Sequence, residues 1–406
     1  MLPENYCGDM VYERVDKLFK NHLFLSLLIV LLAFFFCEGG CTGDGDSSIG
    51  TLSLGLTDSA TTKYEAVYVT IDEVEVHHQN GFWETVATPE KTYDLLELVN
   101  GVIENLGVSD VLSGQYTQLR LIIGNDQEIE ENKFGEQHQY ANYIILKGDP
   151  DHKQIELKVP SGFQTGIKLV SPFTVPEGET TELILDFDAD RSVIKAGLSG
   201  KWLLRPTIRV LNKANQVTVS GQVSNGSAMN GTGISAQKVN PDANGTNRIR
   251  ILGSTVAEGV EGSTNATYTL FTVPGEQNIV AYKDEYAPEV VPIDPSAGDT
   301  LTRNFRLNST ETGSISGNVN VISEISEDNK VVLSFRTNVD DLYVEIKSKS
   351  RVLEESNTNL DWNYNATLPE STEFKVVATY FDEDNKILAS QSSNATTTSN
   401  GLDFTF

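Results

Sequence analysis

Residues 157–211 constrain the fold more than any other stretch of the chain. Apolar and polar residues alternate over 166–170 and again over 181–187, and Pro176-Glu177-Gly178 supplies a turn between two such runs. A period of two suits a half-buried strand, and several short strands this close together read as one side of a β-sandwich or as an open barrel. The same period returns over 66–76 (AVYVTIDEVEV) and 115–123. Asn80-Gly81 is a hairpin signal, with the chain returning through 82–86. Residues 93–111 differ. Leu95, Leu96, Leu98, Val99, Val102, Ile103 and Leu106 fit helical spacing, broken by Gly101 and Gly107, so one or two short helical turns are expected there. The charge- and Gln-rich stretch 125–152 reads as a loop.

Seven segments occur in a recognisable order: LTDSA, YEAVYVTIDEVEVH, TYDLLELVNG, SGQYTQLRLIIG, LKVPSGFQTGIKLVSPFTVPEG, TELILDFDA and LLRPTIRV. Together they resemble a domain of secreted bacterial and archaeal lipoproteins, the domain of unknown function forty-three eighty-two, over about residues 49–211. The resemblance implies a surface location. It brings no activity and no catalytic residue.

The N-terminus agrees with export. Arg14, Lys17 and Lys20 precede an apolar run over 23–37 interrupted only by Ser26, which is a basic n-region followed by an h-region of secretory length. Glu38-Gly39-Gly40-Cys41 and the polar TGDGDSS after it resemble a lipoprotein cleavage site, where the cysteine takes a lipid and becomes the new N-terminus. Glu38 departs from that pattern, which has an aliphatic residue three before the cysteine. An uncleaved anchor and plain secretion stay open beside lipidation of Cys41. Residues 1–41 are expected to be the signal peptide and 42–48 a tether. The cysteines are Cys7, Cys37 and Cys41, so residues beyond 41 have neither disulfide nor thiolate chemistry.

Two further units follow. Residues 215–309, from VTVSGQVSNG through ATYTLFTVPGEQNIVAY to the strand ending at Leu307, resemble the carboxypeptidase regulatory-like, transthyretin-like sandwich, with a loop at 239–263 longer than expected. Residues 313–406 open on GSISGNVNV, an echo of VTVSGQVSN, and carry strand patterns over 330–336, 342–347, 361–368, 373–380 and 402–406. They read as a further immunoglobulin-like or transthyretin-like sandwich. The expected fold is therefore all-β: a β-sandwich-type domain with short helical turns over 49–213, then two sandwiches.

Chemistry is sparse. Asp186, Asp188 and Asp190 would share one face of an extended segment, a spacing that could hold calcium, although the glycine and distal glutamate of an EF-hand loop are missing. His77 and His78 are adjacent and point to opposite faces of a strand. No nucleophile elbow, zinc-protease helix or phosphate loop occurs. Trp83, Trp202 and Trp362, with Tyr116, Tyr140 and Tyr143, suit either a sugar-stacking platform or strand cores. With 57 acidic against 30 basic residues the formal charge is −27, which disfavours binding to nucleic acid backbones.

The expected protein is an exported, membrane-anchored cell-surface lipoprotein facing the exterior. It would act as a non-catalytic binding or structural module, with the membrane and a glycan or protein ligand as partners. The rival is an exported glycan-active hydrolase using 215–406 as accessory modules. An apolar cleft with two facing carboxylates within 49–211 would favour the rival.

Overall fold

Strand Ile49–Ser59 runs parallel to Thr180–Asp188 and antiparallel to Glu104–Leu112. Leu52, Leu54 and Leu56 stand beside Thr181, Leu183 and Leu185 in register, so one face of this pairing is apolar and buried. Ile208–Asn212 completes a four-stranded sheet. The computed structural model describes residues 48–406, apart from residues 60, 62, 160–165, 197–199, 226–228, 241–247, 261, 323–328, 354–359, 371–372 and 383–384. Cys41 and the apolar run over 23–37 lie outside the described residues.

A second, larger sheet faces the first. Its spine is Tyr64–His78, with Gly114–Ile123 on one side and Tyr143–Leu146 on the other. The sheet continues through Gln154–Lys158 and Trp202–Leu204 to Val193–Lys195. The Asn80-Gly81 hairpin is present: Trp83–Ala87 returns along the spine, and Gly81 has a φ of 91°. Leu52, Ile71, Val74, Leu119 and Phe187 lie in the core between the two sheets.

One reading of the sequence is met over part of its span, and two need correction. Residues 93–111 form a single 3-10 turn, Leu95–Glu97, capped by the Asp94 side chain at Leu96 N, and then the strand Glu104–Leu112. Strand pairing with Ile49–Ser59 overrides the helical spacing beyond Gly101. The loop expected over 239–263 contains the strand Arg248–Gly259, which pairs with Thr232–Asn240 across a bulge. Ile387–Ala395 is also a strand; it is rich in Ser and largely exposed, so it carries no alternation to read.

The middle part is an eight-stranded sheet around Val219, Ile234, Leu270, Ile279 and Phe305. The last part sets a three-stranded sheet against a four-stranded one over Val319, Leu333, Phe335, Trp362 and Phe374. Both parts contain the same device. Gly221 pairs with Tyr268 and Gly317 with Tyr364. A Cβ on Gly221 would sit 1.8 Å from the carbonyl oxygen of Arg303, and one on Gly317 would sit 2.1 Å from that of Leu402. The tyrosine hydroxyls donate to those same two carbonyls, at 2.7 and 2.6 Å. The VSGQV/ISGNV echo thus marks a structural repeat, in which glycine admits the returning backbone and tyrosine ties it down.

Candidate functional site: a cationic cleft among the three parts

The three parts meet at the edge strand Leu342–Val352. Glu345 alternates with the buried Val344 and Ile346, so its side chain faces out of the last core, next to a bulge at Ile346. Glu345 Oε1 accepts from Arg191 Nη2 of the first part at 2.6 Å, and Oε2 accepts from Ser334 Oγ at 2.5 Å. Its backbone is held by Gln237 of the middle part. Glu345 N donates to Gln237 Oε1 at 2.9 Å, and Gln237 Nε2 donates to Glu345 O at 2.6 Å. The buried Gln237 amide imitates one rung of a β-ladder. Farther along the strand, Val352 forms a parallel bridge with Ala196 of the first part. Lys347 pairs with Asp284 of the middle part at 2.9 Å.

A second contact joins the first and middle parts. Arg209 Nη2 donates to Asp186 Oδ2 at 2.6 Å and to Ser59 Oγ at 2.8 Å, while its Nη1 donates to Ile251 O at 3.3 Å. Asn100, at a φ of 55°, accepts from Thr255 Oγ1 at 3.2 Å.

Between these contacts lies a cavity of about 1790 Å³ with walls from all three parts. Twelve of the chain's thirty Lys and Arg side chains line it, against two carboxylates, Asp190 and Glu345. The first part contributes Lys63, Lys168, Arg191, Lys195 and Arg205, and the middle part Arg248 and Arg250. Lys330, Arg336, Lys347, Lys349 and Arg351 come from the last part. Both carboxylates are already used: Lys63 holds Asp190 at 2.8 Å, and Arg191 holds Glu345. Among the described residues, Lys330, Lys349, Arg248 and Arg250 have no anionic partner. Burial, with Arg205 and Arg191 nearby, pushes the Lys330 amine down to about 8. Burial lowers Lys349 as well, helped by Lys347, Lys63 and Arg351. The cleft is a concentration of positive charge inside an acidic protein.

The sequence pointed to other residues. Asp186 and Asp188 do lie in one strand, but that strand ends at Asp188 and Ala189–Ser192 is a helical turn. Asp190 therefore leaves the expected common face, and the calcium reading loses its geometric premise. Each carboxylate has a protein partner: Arg209 for Asp186, the Arg191 backbone N–H for Asp188, and Lys63 with Thr61 for Asp190. Burial, countered by Arg209 and reinforced by Asp188, moves Asp186 up to about 6. Burial would also raise Asp190, but Lys63 holds it below the usual carboxylate range. Among the described residues, no three His, Cys, Asp or Glu side chains converge as a metal ion requires. Likewise, no helix there is long and apolar enough to cross a membrane.

The aromatic residues divide between core and cleft. Tyr116 and Tyr143 are buried in the core, Trp362 is buried yet also borders the cleft, and Trp202 is half-buried in the cleft wall, edge-on to Tyr64 with Lys195 over its ring. Trp83 lies outside the cleft, under Arg120 at 4.0 Å. His78 is buried against Phe82, and His77 meets Thr117 on the opposite face. The one local hint of the cleft in the sequence is Lys347-Ser348-Lys349-Ser350-Arg351, whose five residues all line it.

Residues 49–206 match the family model described as Domain of unknown function (DUF4382). Curated proteins give no match. Among solved structures, the chain is similar to a leucine-rich repeat protein from Bacteroides thetaiotaomicron at 13% identity, covering 47% of this chain and 27% of that one, with a TM-score of 0.21. It therefore spans little more than a quarter of that protein. A Streptococcal ancillary pilin is similar at 9% identity, covering 88% of this chain and 98% of that one, with a TM-score of 0.18. A putative adhesin from Bacteroides ovatus follows at 11% identity, covering 44% and 82%, with a TM-score of 0.15. TM-scores this low do not establish a common fold.

Proposed function

We propose that the protein is exported, held at the cell surface by a lipid on Cys41, and works as a non-catalytic binding protein. Its three parts would be a domain of unknown function over 49–213, a carboxypeptidase regulatory-like sandwich over 215–309 and a second sandwich over 313–406. The observation that carries this reading is the cleft. Its walls are drawn from all three parts, and a cavity of about 1790 Å³ lined by twelve cations is arranged to hold a ligand. Acid–base hydrolysis of a glycan needs two facing carboxylates. The two in this cleft are each ion-paired, Asp190 to Lys63 and Glu345 to Arg191, which supports the reading without catalysis.

The basic n-region, the apolar run and the small residues before Cys41 support the anchor. Mass spectrometry of the native protein tests it. The expected N-terminus is acylated Cys41, and Cys41→Ser gives protein that is unprocessed or released. A mature chain that retains residues 23–37 contradicts the anchor. Labelling of intact cells with a membrane-impermeant amine reagent tests surface display: the lysines of residues 49–406 are expected to react without lysis.

A further inference from the structure

We infer that the cleft among the three parts binds a short acidic oligosaccharide, with Lys330, Lys349, Arg248 and Arg250 pairing with its carboxylates. This rests on the surface-binding reading above and names the ligand class.

Three observations select that class. First, the cavity of about 1790 Å³ exceeds the roughly 300–1,000 Å³ usual for one small molecule, so its occupant has several units. Second, the twelve cations come from all three parts and line the full cleft, which suits several charges carried along an oligomer better than a single phosphate. Third, hydroxyl and amide side chains line the same cleft, among them Ser348, Ser350, Ser390, Asn363 and Asn385. These are partners for sugar hydroxyls.

Single-stranded nucleic acid fits less well. Its bases need a run of open aromatic faces. Trp202 carries Lys195 over its ring, and Trp362 is buried with Arg351 over its own. The net charge of −27 would also repel a long polyanion from the outer surface, so a chain end or short segment is what enters.

Among the described residues the four named cations have no anionic partner to lose, so neutralising them removes ligand contacts without breaking an ion pair there. The uncharged form of Lys330 adds a second signature. An anion beside it favours the protonated amine, so binding near pH 8.5 takes up protons from the buffer.

The test is titration calorimetry of the full chain in detergent with hexamers of galacturonate, guluronate and glucuronate-containing glycan. A methyl-esterified galacturonate hexamer, inorganic phosphate and a twelve-nucleotide single-stranded DNA serve as controls. At least one acidic hexamer is expected to bind with affinity that falls as salt rises, and the methyl ester is expected to bind at least tenfold more weakly. Lys349→Gln with Arg250→Gln is expected to cost at least tenfold in affinity with the melting temperature unchanged. In the parent protein, apparent binding enthalpy at pH 8.5 is expected to depend on the buffer's ionisation enthalpy, and Lys330→Met is expected to reduce that dependence. No binding by any acidic hexamer, equal binding of the methyl ester, unchanged affinity in the double variant, or preference for the DNA overturns the inference. If surface labelling succeeds while every hexamer fails, the ligand class alone is wrong. If labelling fails, the surface reading itself falls.

Discussion

Asp58 shows how a single side chain sets a pH dependence. It stands beside Phe187 in the strand register, and its side chain is buried. Oδ1 accepts from Ala189 N at 3.0 Å, and Oδ2 has no hydrogen-bond partner among the described residues. Burial raises its pKa well above the ordinary value, and the nearby Asp188 and Asp186 push it further up. The folded state therefore holds a proton that the unfolded chain releases once the pH passes about 4. Stability falls as pH climbs from there through the raised folded pKa. Asp58→Asn cannot ionise and keeps the acceptor for Ala189. It is expected to be more stable than the parent at pH 8, with the difference shrinking toward zero at pH 4, as read by urea unfolding. An equal gap at both pH values would place the cause elsewhere. At the same scale, Asp186, Asp188 and Asp190 were legible in the sequence but their cations were not, because Arg209 reaches Asp186 from the neighbouring strand, 23 residues on, and Lys63 reaches Asp190 from 127 residues before it.

Among the elements, the paired glycine and tyrosine carry the clearest consequences. A methyl group on Gly221 or Gly317 would run into backbone, which cannot swing aside as a side chain can. Gly221→Ala and Gly317→Ala are expected to be strongly destabilising, by about 2 kcal/mol or more, through forced displacement of the returning strand. Tyr268→Phe and Tyr364→Phe keep the packing and lose one hydrogen bond each, for about 1 kcal/mol apiece in chemical denaturation. Equal, small effects from both kinds of substitution would refute the device. The echo of the two glycine strands was readable in the sequence because its residues are local. Their tyrosine partners were not, since they lie a strand away and no local pattern links them. Alternation made Tyr64–His78 and Gly114–Ile123 legible. It failed for Ile387–Ala395, whose exposure removes the signal, while the helical spacing over 93–111 marked the turn Leu95–Glu97 but ran on into the strand Glu104–Leu112.

For the whole molecule, the edge strand Leu342–Val352 holds the arrangement together. Glu345 ties Arg191 to Ser334 while its backbone is gripped by Gln237, so one residue touches all three parts. Removing a carboxylate that a guanidinium depends on leaves that cation poorly compensated, at a cost of up to about 3–5 kcal/mol for a fully buried pair. The Arg191 side chain is 34% exposed, so a smaller loss, about 1–2 kcal/mol, is expected for Glu345→Ala. Faster hydrogen exchange in Leu342–Val352 and Val193–Lys195 is expected with it, and unchanged exchange would mean that Glu345 is no joint. None of this was legible in the sequence beyond the run Lys347–Arg351, since the cleft exists only once three separate folding patterns are brought together.

The most direct test of that assembly uses the bridge between Ala196 and Val352. Strands this close stand about 4.8 Å apart, within the span a disulfide tolerates. No native cysteine lies beyond Cys41, so a pair introduced as Ala196→Cys with Val352→Cys is easily followed by peptide mapping. Mild oxidation of the folded protein is expected to link the two peptides. Thiols that stay unlinked, and that an alkylating reagent reaches under native conditions, would contradict the closed arrangement on which the cleft depends.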